Sequence, residues 1–268
     1  MNKKQEEIMS QTIVEVNKLN KVFKQGKNQK VHVLKDIDAK IERGEFLSIM
    51  GPSGSGKTTF LYNISGMDRM TSGNVLLNGE EIADKSEAEL AKLRLTRMGF
   101  IFQDIYLLRN LNLFDNVIYT GYIAKNRKKE EIDEHANQLM KRMGIDEIKS
   151  HDITEASGGQ LQRVGICRAL INEPEIIFGD EPTGALNSKA TEEILNILLD
   201  INSEGTTIVL VTHDIRVAAR SQRVLFMIDG EIRAEKQLGK FNKEAIDSNE
   251  QLTKREEQMN QWLKQNGF

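Results

Sequence analysis

A single cysteine, Cys167, occurs in 268 residues, so no disulfide can close within the chain and a bridge-stapled secreted fold is excluded. Such cysteine usage belongs to a reducing compartment, which makes the cytosol the expected location. No apolar run approaches the ~20 residues that cross a bilayer. The longest candidates, such as Thr206-Thr207-Ile208-Val209-Leu210-Val211, have the length of buried strands. If the protein works at a membrane, another chain is expected to supply the span. The opening Met1-Asn2-Lys3-Lys4-Gln5-Glu6-Glu7 lacks the apolar core of a signal peptide and reads as a frayed lead-in to a protein that is not exported. Nor is there an excess of charge of one sign. A formal net charge of −3 and a pI near 5.9 give no global field for nucleic acid, which is not an expected partner, or for an anionic membrane.

What is present is a soluble-protein composition, 39% hydrophobic and 29% charged, with length enough for one large α/β domain or two ordinary ones. Within it, Gly51-Pro52-Ser53-Gly54-Ser55-Gly56-Lys57-Thr58 meets the pattern G-x-x-x-x-G-K-S/T at every fixed position. It follows the apolar run Phe46-Leu47-Ser48-Ile49-Met50 directly, so a strand feeds a phosphate loop. Backbone N–H groups of residues 53–58 would point at a triphosphate, helped by the positive end of the helix that follows. Gly51, Gly54 and Gly56 permit that path, Lys57 would reach the β- and γ-phosphates, and Thr58 would place its hydroxyl on Mg²⁺. Pro52, Ser53, Ser55 and Thr59 complete the candidate ATP contacts. The competing reading is a glycine-rich turn that binds nothing.

Such a loop needs an acidic partner at a strand end, and Ile176-Ile177-Phe178-Gly179-Asp180-Glu181 supplies one. Asp180 would hold Mg²⁺ directly or through water, and Glu181 would act as general base toward the attacking water.

Strand-like segments lie at 14–19, 33–41 and 46–50, and the Asn78-Gly79 pair marks a tight hairpin after 74–77. A charged helix is expected over 86–97, and the pattern from 104 to 150 reads as almost wholly helical. Its cluster Lys125-Asn126-Arg127-Lys128-Lys129-Glu130-Glu131 reads as a solvated face at a helix start. Helical and apolar segments alternate again from 161 to 211, which implies βαβ units and a covered parallel sheet. From about 236 the tail is polar and ends in a helix whose Leu252, Met259, Trp262 and Leu263 lie near one stripe, for packing on the chain's own body or for docking on a partner. The fold class is therefore α/β: a P-loop NTPase with a RecA-like parallel sheet core, an antiparallel β subdomain and an inserted α-helical subdomain. The ATPase domain spans 12–235, with the core about 12–103 and 166–235, helices about 104–165, and a C-terminal helical extension 236–268.

With a second glycine-rich stretch, Ala156-Ser157-Gly158-Gly159-Gln160, the chain resembles the ATP-binding cassette family over nearly all of 13–234. That resemblance implies a head-to-tail dimer of two copies, in which Ser157, Gly158, Gly159 and Gln160 of one copy close on the γ-phosphate held by the other. It implies that Gln103 contacts Mg²⁺ and the attacking water, that His213 senses the γ-phosphate, and that Phe23 stacks on adenine, an ordinary packing role for Phe23 being the alternative. The sequence departs from the family at Ala156, where Leu is usual, at Gly179, where a bulkier residue is usual, and at Asn187, where Asp is usual. His32, His135 and His151 read as surface or structural histidines, and Cys167 as a small buried side chain. Val33-Leu34-Lys35-Asp36, the phosphate loop and Gly179-Asp180-Glu181-Pro182-Thr183-Gly184-Ala185-Leu186 resemble the branch that includes the MacB, LolD and BceA ATPases. This implies an ATPase subunit at the cytoplasmic face of a bacterial membrane, paired with a separate FtsX-like permease for antimicrobial peptides, macrolides or lipid-linked substrates. Residues 104–108 onward would line the groove for that permease's coupling helix, or serve as subdomain core. The alternatives are an FtsE-like signalling ATPase and a soluble assembly ATPase.

Overall fold

Two long strands, β1 (Thr12–Gln25) and β2 (Gln29–Glu42), open the computed structural model, which describes residues 11–26, 29–245 and 247–267. The lead-in at 1–7 lies outside the described residues. Both strands outrun the apolar segments at 14–19 and 33–41 because backbone pairing continues into polar ends, as far as Gln25 opposite Gln29. Burial patterning marks only the part of a strand that faces a core.

The chain continues through β3 (Phe46–Met50), α1 (Lys57–Ile64), β4 (Ser72–Leu77), β5 (Glu80–Glu81), α2 (Glu87–Arg97) and β6 (Met98–Phe102). Next come α3 (Leu113–Ala124), α4 (Lys129–Arg142), single 3₁₀ turns at Asp146–Ile148 and Ile153–Glu155, and α5 (Gly158–Leu170). After β7 (Ile176–Asp180) follow α6 (Ser188–Ser203), β8 (Thr207–Val211), α7 (Ile215–Arg220), β9 (Arg223–Ile228), β10 (Glu231–Gln237) and α8 (Ser248–Gln265). Among the described residues no helix is long and apolar enough to cross a membrane. Two compact units result, one of residues up to 90 with 207 onward, the other of 91–206.

In the first unit, an antiparallel sheet is ordered β2-β1-β4-β5. Its Asn78-Gly79 turn has φ of 52° and 77°, both left-handed, as a tight two-residue hairpin requires. Beside it, β3 pairs in parallel with both β8 and β9, and β10 closes antiparallel on β9. Every residue of β3 and β8 is buried, the near-continuous apolar run of a strand covered on both faces. The C-terminal helix α8 buries Met259 and Leu263 in a cluster with Met50, Ala218, Val224 and Phe226, and Trp262 packs on its edge. The stripe on α8 is therefore used within the chain.

In the second unit, β6 and β7 pair in parallel with Phe102 opposite Asp180. The helices α3 and α4 pack close at Gly121, where an added Cβ would come within 2.8 Å of the Ile132 side chain and 3.2 Å of Ile171, the residue that ends α5. Residues 104–112 are not helical, contrary to the sequence pattern. Buried Asn116 takes up that backbone: its Oδ1 accepts from Leu108 N at 2.7 Å, and its Nδ2 donates to Leu108 O and Leu111 O at 3.2 and 3.1 Å. The helix starts only at Leu113, where Asn112 caps it by accepting from Asp115 N at 2.7 Å.

Candidate functional site

The phosphate-loop residues lie where buried β3 turns into α1, and their backbone is strained in the way glycine permits. Gly51 has φ of 150°, and a Cβ there would fall 2.1 Å from Met227 O. Gly56 is the N-cap of α1 with φ of 98°; no side chain caps it, and no acidic residue stands in the first helical turn. Lys57 lies back over the loop, its Nζ donating to Gly51 O at 2.9 Å and Pro52 O at 2.8 Å. Ser55 is buried, and its hydroxyl has no hydrogen-bond partner. Pro52, Ser53 and Gly54 are exposed, while Thr58 and Thr59 are half-buried in the first turn. An uncapped helix start, an adjacent ammonium and a buried hydroxyl in want of a partner fit a phosphate group.

Sequence reading missed the support of this loop. The β9–β10 turn donates Gly230 N to Ser55 O at 3.0 Å and accepts Lys35 N on Gly230 O at 2.9 Å. A Cβ at Gly230 would lie 2.2 Å from Val33 O, so only glycine lets the hairpin approach this closely. Asp229-Gly230 between the apolar run 224–228 and Ile232 is the turn signal that marks it. In the same unit Phe23 is exposed, not core. His213 is also exposed, just before Asp214, which caps α7 by accepting from Arg216 N at 2.8 Å. Burial pulls the Asp214 carboxyl upward, but the hydrogen bonds and charge of Arg216 outweigh it and hold the group below the usual carboxylate range.

The second unit gathers Asp180, Glu181 and Gln103. Strand pairing brings Gln103 beside the carboxylates, since Gln103 N donates to Asp180 O at 3.0 Å. Gly184 returns against the Gln103 side chain, its hypothetical Cβ 3.2 Å from the amide carbon, and donates its N–H to Glu181 O at 3.0 Å. Glu181 itself holds φ of 49°, a left-handed conformation that costs a non-glycine residue about 1 kcal/mol or more. Gly179 is buried in β7 opposite Ile101. Among the described residues no three His, Cys, Asp or Glu side chains converge as a metal site. A cation held here would rely on one carboxylate with phosphate and water oxygens, the usual manner of Mg²⁺.

Also in this unit, Ser157 caps α5 in a reciprocal box: Ser157 Oγ accepts from Gln160 N at 3.4 Å and Gln160 Oε1 from Ser157 N at 2.8 Å. Gly158 is exposed, and Gly159 passes Ala190 so closely that an added Cβ would lie 3.2 Å from its methyl. Asn187 caps α6, accepting from Ala190 N at 2.9 Å, as an aspartate would. Both helix starts open on one cavity of about 440 Å³ lined by Ser157, Gly159, Asn187, Lys189 and Arg163. Elsewhere, Cys167 is fully buried and its thiol is pushed up to about 12 by desolvation, which makes it inert. His32 bonds to Asn20 Oδ1 at 2.8 Å, His151 is half-buried, and burial holds the half-buried His135 below the usual histidine range.

A glycine loop wound onto an uncapped helix, in one chain with a parallel strand that ends in adjoining carboxylates, defines a P-loop nucleoside triphosphatase. The family model for ABC transporters matches residues 34–184, and the chain belongs to that family as an ATP-binding, ATP-hydrolysing cassette. It is 43% identical to the ABC transporter ATP-binding protein YknY of Bacillus subtilis, over 82% of this chain and 95% of YknY. To the macrolide export ATP-binding/permease protein MacB of Hahella chejuensis it is 41% identical, over 85% of this chain and 35% of MacB. The chain thus spans about a third of the length of the MacB relatives it matches. The dimeric cassette MJ0796, in a post-hydrolysis state bound to ADP and Pi, superposes with a TM-score of 0.79 at 38% identity, covering 85% of this chain and all of that one.

Proposed function

We propose that the chain is the motor of an ABC exporter, closing head-to-tail with a second copy on ATP and passing that motion to an FtsX-like permease in the membrane. The observation that carries the nucleotide half of this reading is the uncapped α1 start with Lys57 beside it. In the proposed reaction the backbone of 51–59 and Lys57 bind the phosphates, and Phe23 stacks on the base. Glu181 takes the proton of the attacking water, which Gln103 helps to place, and His213 contacts the γ-phosphate. Thr58, Gln103 and Asp180 are the residues that would hold Mg²⁺, whose charge offsets that of the β- and γ-phosphate oxygens. Ser157, Gly158, Gly159 and Gln160 receive the γ-phosphate from the second copy. The dimeric form of MJ0796 supports the two-copy arrangement.

The cargo class, macrolides, antimicrobial peptides or lipid-linked molecules, draws its support from the names of the MacB relatives, and with it a peripheral place on the cytoplasmic membrane face. Steady-state hydrolysis and equilibrium ATP binding test the chemistry. Glu181→Gln should keep ATP affinity within about threefold and lower turnover by about a hundredfold or more. An unchanged rate would overturn Glu181 as the base.

A further inference from the structure

Lys21 is nearly buried, yet its ammonium lies 4.6 Å from the centroid of the exposed Phe23 ring. Its other contacts are Asp68 Oδ1 at 2.7 Å and Arg69 O at 2.6 Å. An ammonium carries three donors; two are committed to the 68–69 backbone turn and its carboxylate, and the ring lies in reach of the third. The same segment holds the strand on both sides of Lys21. Thr71 Oγ1 accepts from Val22 N at 2.9 Å, and Thr71 N donates to Asn20 O at 2.8 Å. Residues 68–71 follow α1, the helix that opens with Lys57, so the strand bearing Phe23 is fastened to the far end of the phosphate-binding helix.

A cation over one face of an aromatic ring fixes the ring and draws its π density, which leaves the opposite face better matched to an electron-rich purine. We propose that Lys21 is a positioning residue for the nucleotide: it holds the Phe23 ring as the base platform and ties that platform to the phosphate-loop helix through Asp68 and Arg69. This rests on the reading of Phe23 as the adenine-stacking residue. If Lys21 were only a bolt between strand and loop, its loss would disturb phosphate binding as much as base binding.

Calorimetric titration of the full chain with Mg²⁺-ATP and with Mg²⁺-tripolyphosphate, which has no base, separates the two. Phe23→Ala should weaken ATP by about tenfold and leave tripolyphosphate unchanged. Lys21→Met should weaken ATP by roughly fivefold, again sparing tripolyphosphate, and should add nothing further in the Phe23→Ala background. Lys21→Gln retains a donor toward Asp68 and should show the same ATP-selective loss if the methionine variant does not fold. Equal losses for ATP and tripolyphosphate, equal losses with and without Phe23, or no loss of ATP affinity would each overturn the role of Lys21. An unchanged ATP affinity in Phe23→Ala would instead overturn the platform on which the role rests.

Discussion

Gly51 and Gly54 belong to the same loop and both have left-handed φ, but their surroundings differ. A Cβ at Gly51 would fall 2.1 Å from the Met227 carbonyl oxygen, whereas one at Gly54 has no atom within 4 Å. Gly51→Ala must push β9 away and should cost about 3 kcal/mol or more, while Gly54→Ala meets only the strain of φ 80° and should cost about 1 kcal/mol. Thermal melts followed by circular dichroism should separate the two variants by several degrees. Asn187 offers a second residue-scale test. Because its side chain caps α6, Asn187→Ala should lose about 1 kcal/mol, whereas Asn187→Asp keeps the acceptor and adds a favourable charge at a helix start. Chemical denaturation would rank them Asp, Asn, Ala, and a less stable Asp variant would contradict the cap. Cys167, with its thiol pushed up to about 12, should resist a disulfide reagent at pH 8 in the folded chain and react fully once unfolded.

Among the elements, α8 carries the clearest prediction because the chain has one tryptophan, and it lies there. The Trp262 and Phe226 ring centroids are 5.9 Å apart in an edge contact, and Leu263 sits beside them in the buried cluster. Leu263→Ala should cost about 3 kcal/mol, and Trp262 emission should shift to the red at lower denaturant than in the parent. This helix was legible because Met259, Trp262 and Leu263 recur at helical spacing. The phosphate loop was legible because each of its residue types answers a local need of the backbone. Less visible were the elements set by side chains reaching across the chain. Residues 104–112 look helical until Asn116 is seen to hold their carbonyls and amides. The β9–β10 hairpin shows as an Asp229-Gly230 pair, but its duty toward Ser55 and Lys35 depends on a contact between distant parts of the chain. Likewise, Lys21 carries no motif; its place under Phe23 follows from pairing with a loop 47 residues away.

At the scale of the whole molecule, the motifs distribute over two compact units, with the phosphate loop in one and the carboxylates, Gln103 and the Ser157–Gln160 helix start in the other. Head-to-tail pairing predicts that Glu181→Gln, which should retain unhydrolysed ATP, will sediment as a dimer with Mg²⁺-ATP and as a monomer without it. Sedimentation that does not respond to ATP would speak against the composite arrangement. The capping box of Ser157 and Gln160 already satisfies the backbone N–H groups of both residues, so the α5 start is held in shape within a single copy. Lys57 shows the same economy on the other side, with its ammonium on the carbonyls of Gly51 and Pro52. A loop kept in form by its own lysine has no need to refold between one nucleotide and the next. Loading it then asks for an exchange of partners by one buried ammonium, from the carbonyls of Gly51 and Pro52 to phosphate oxygens.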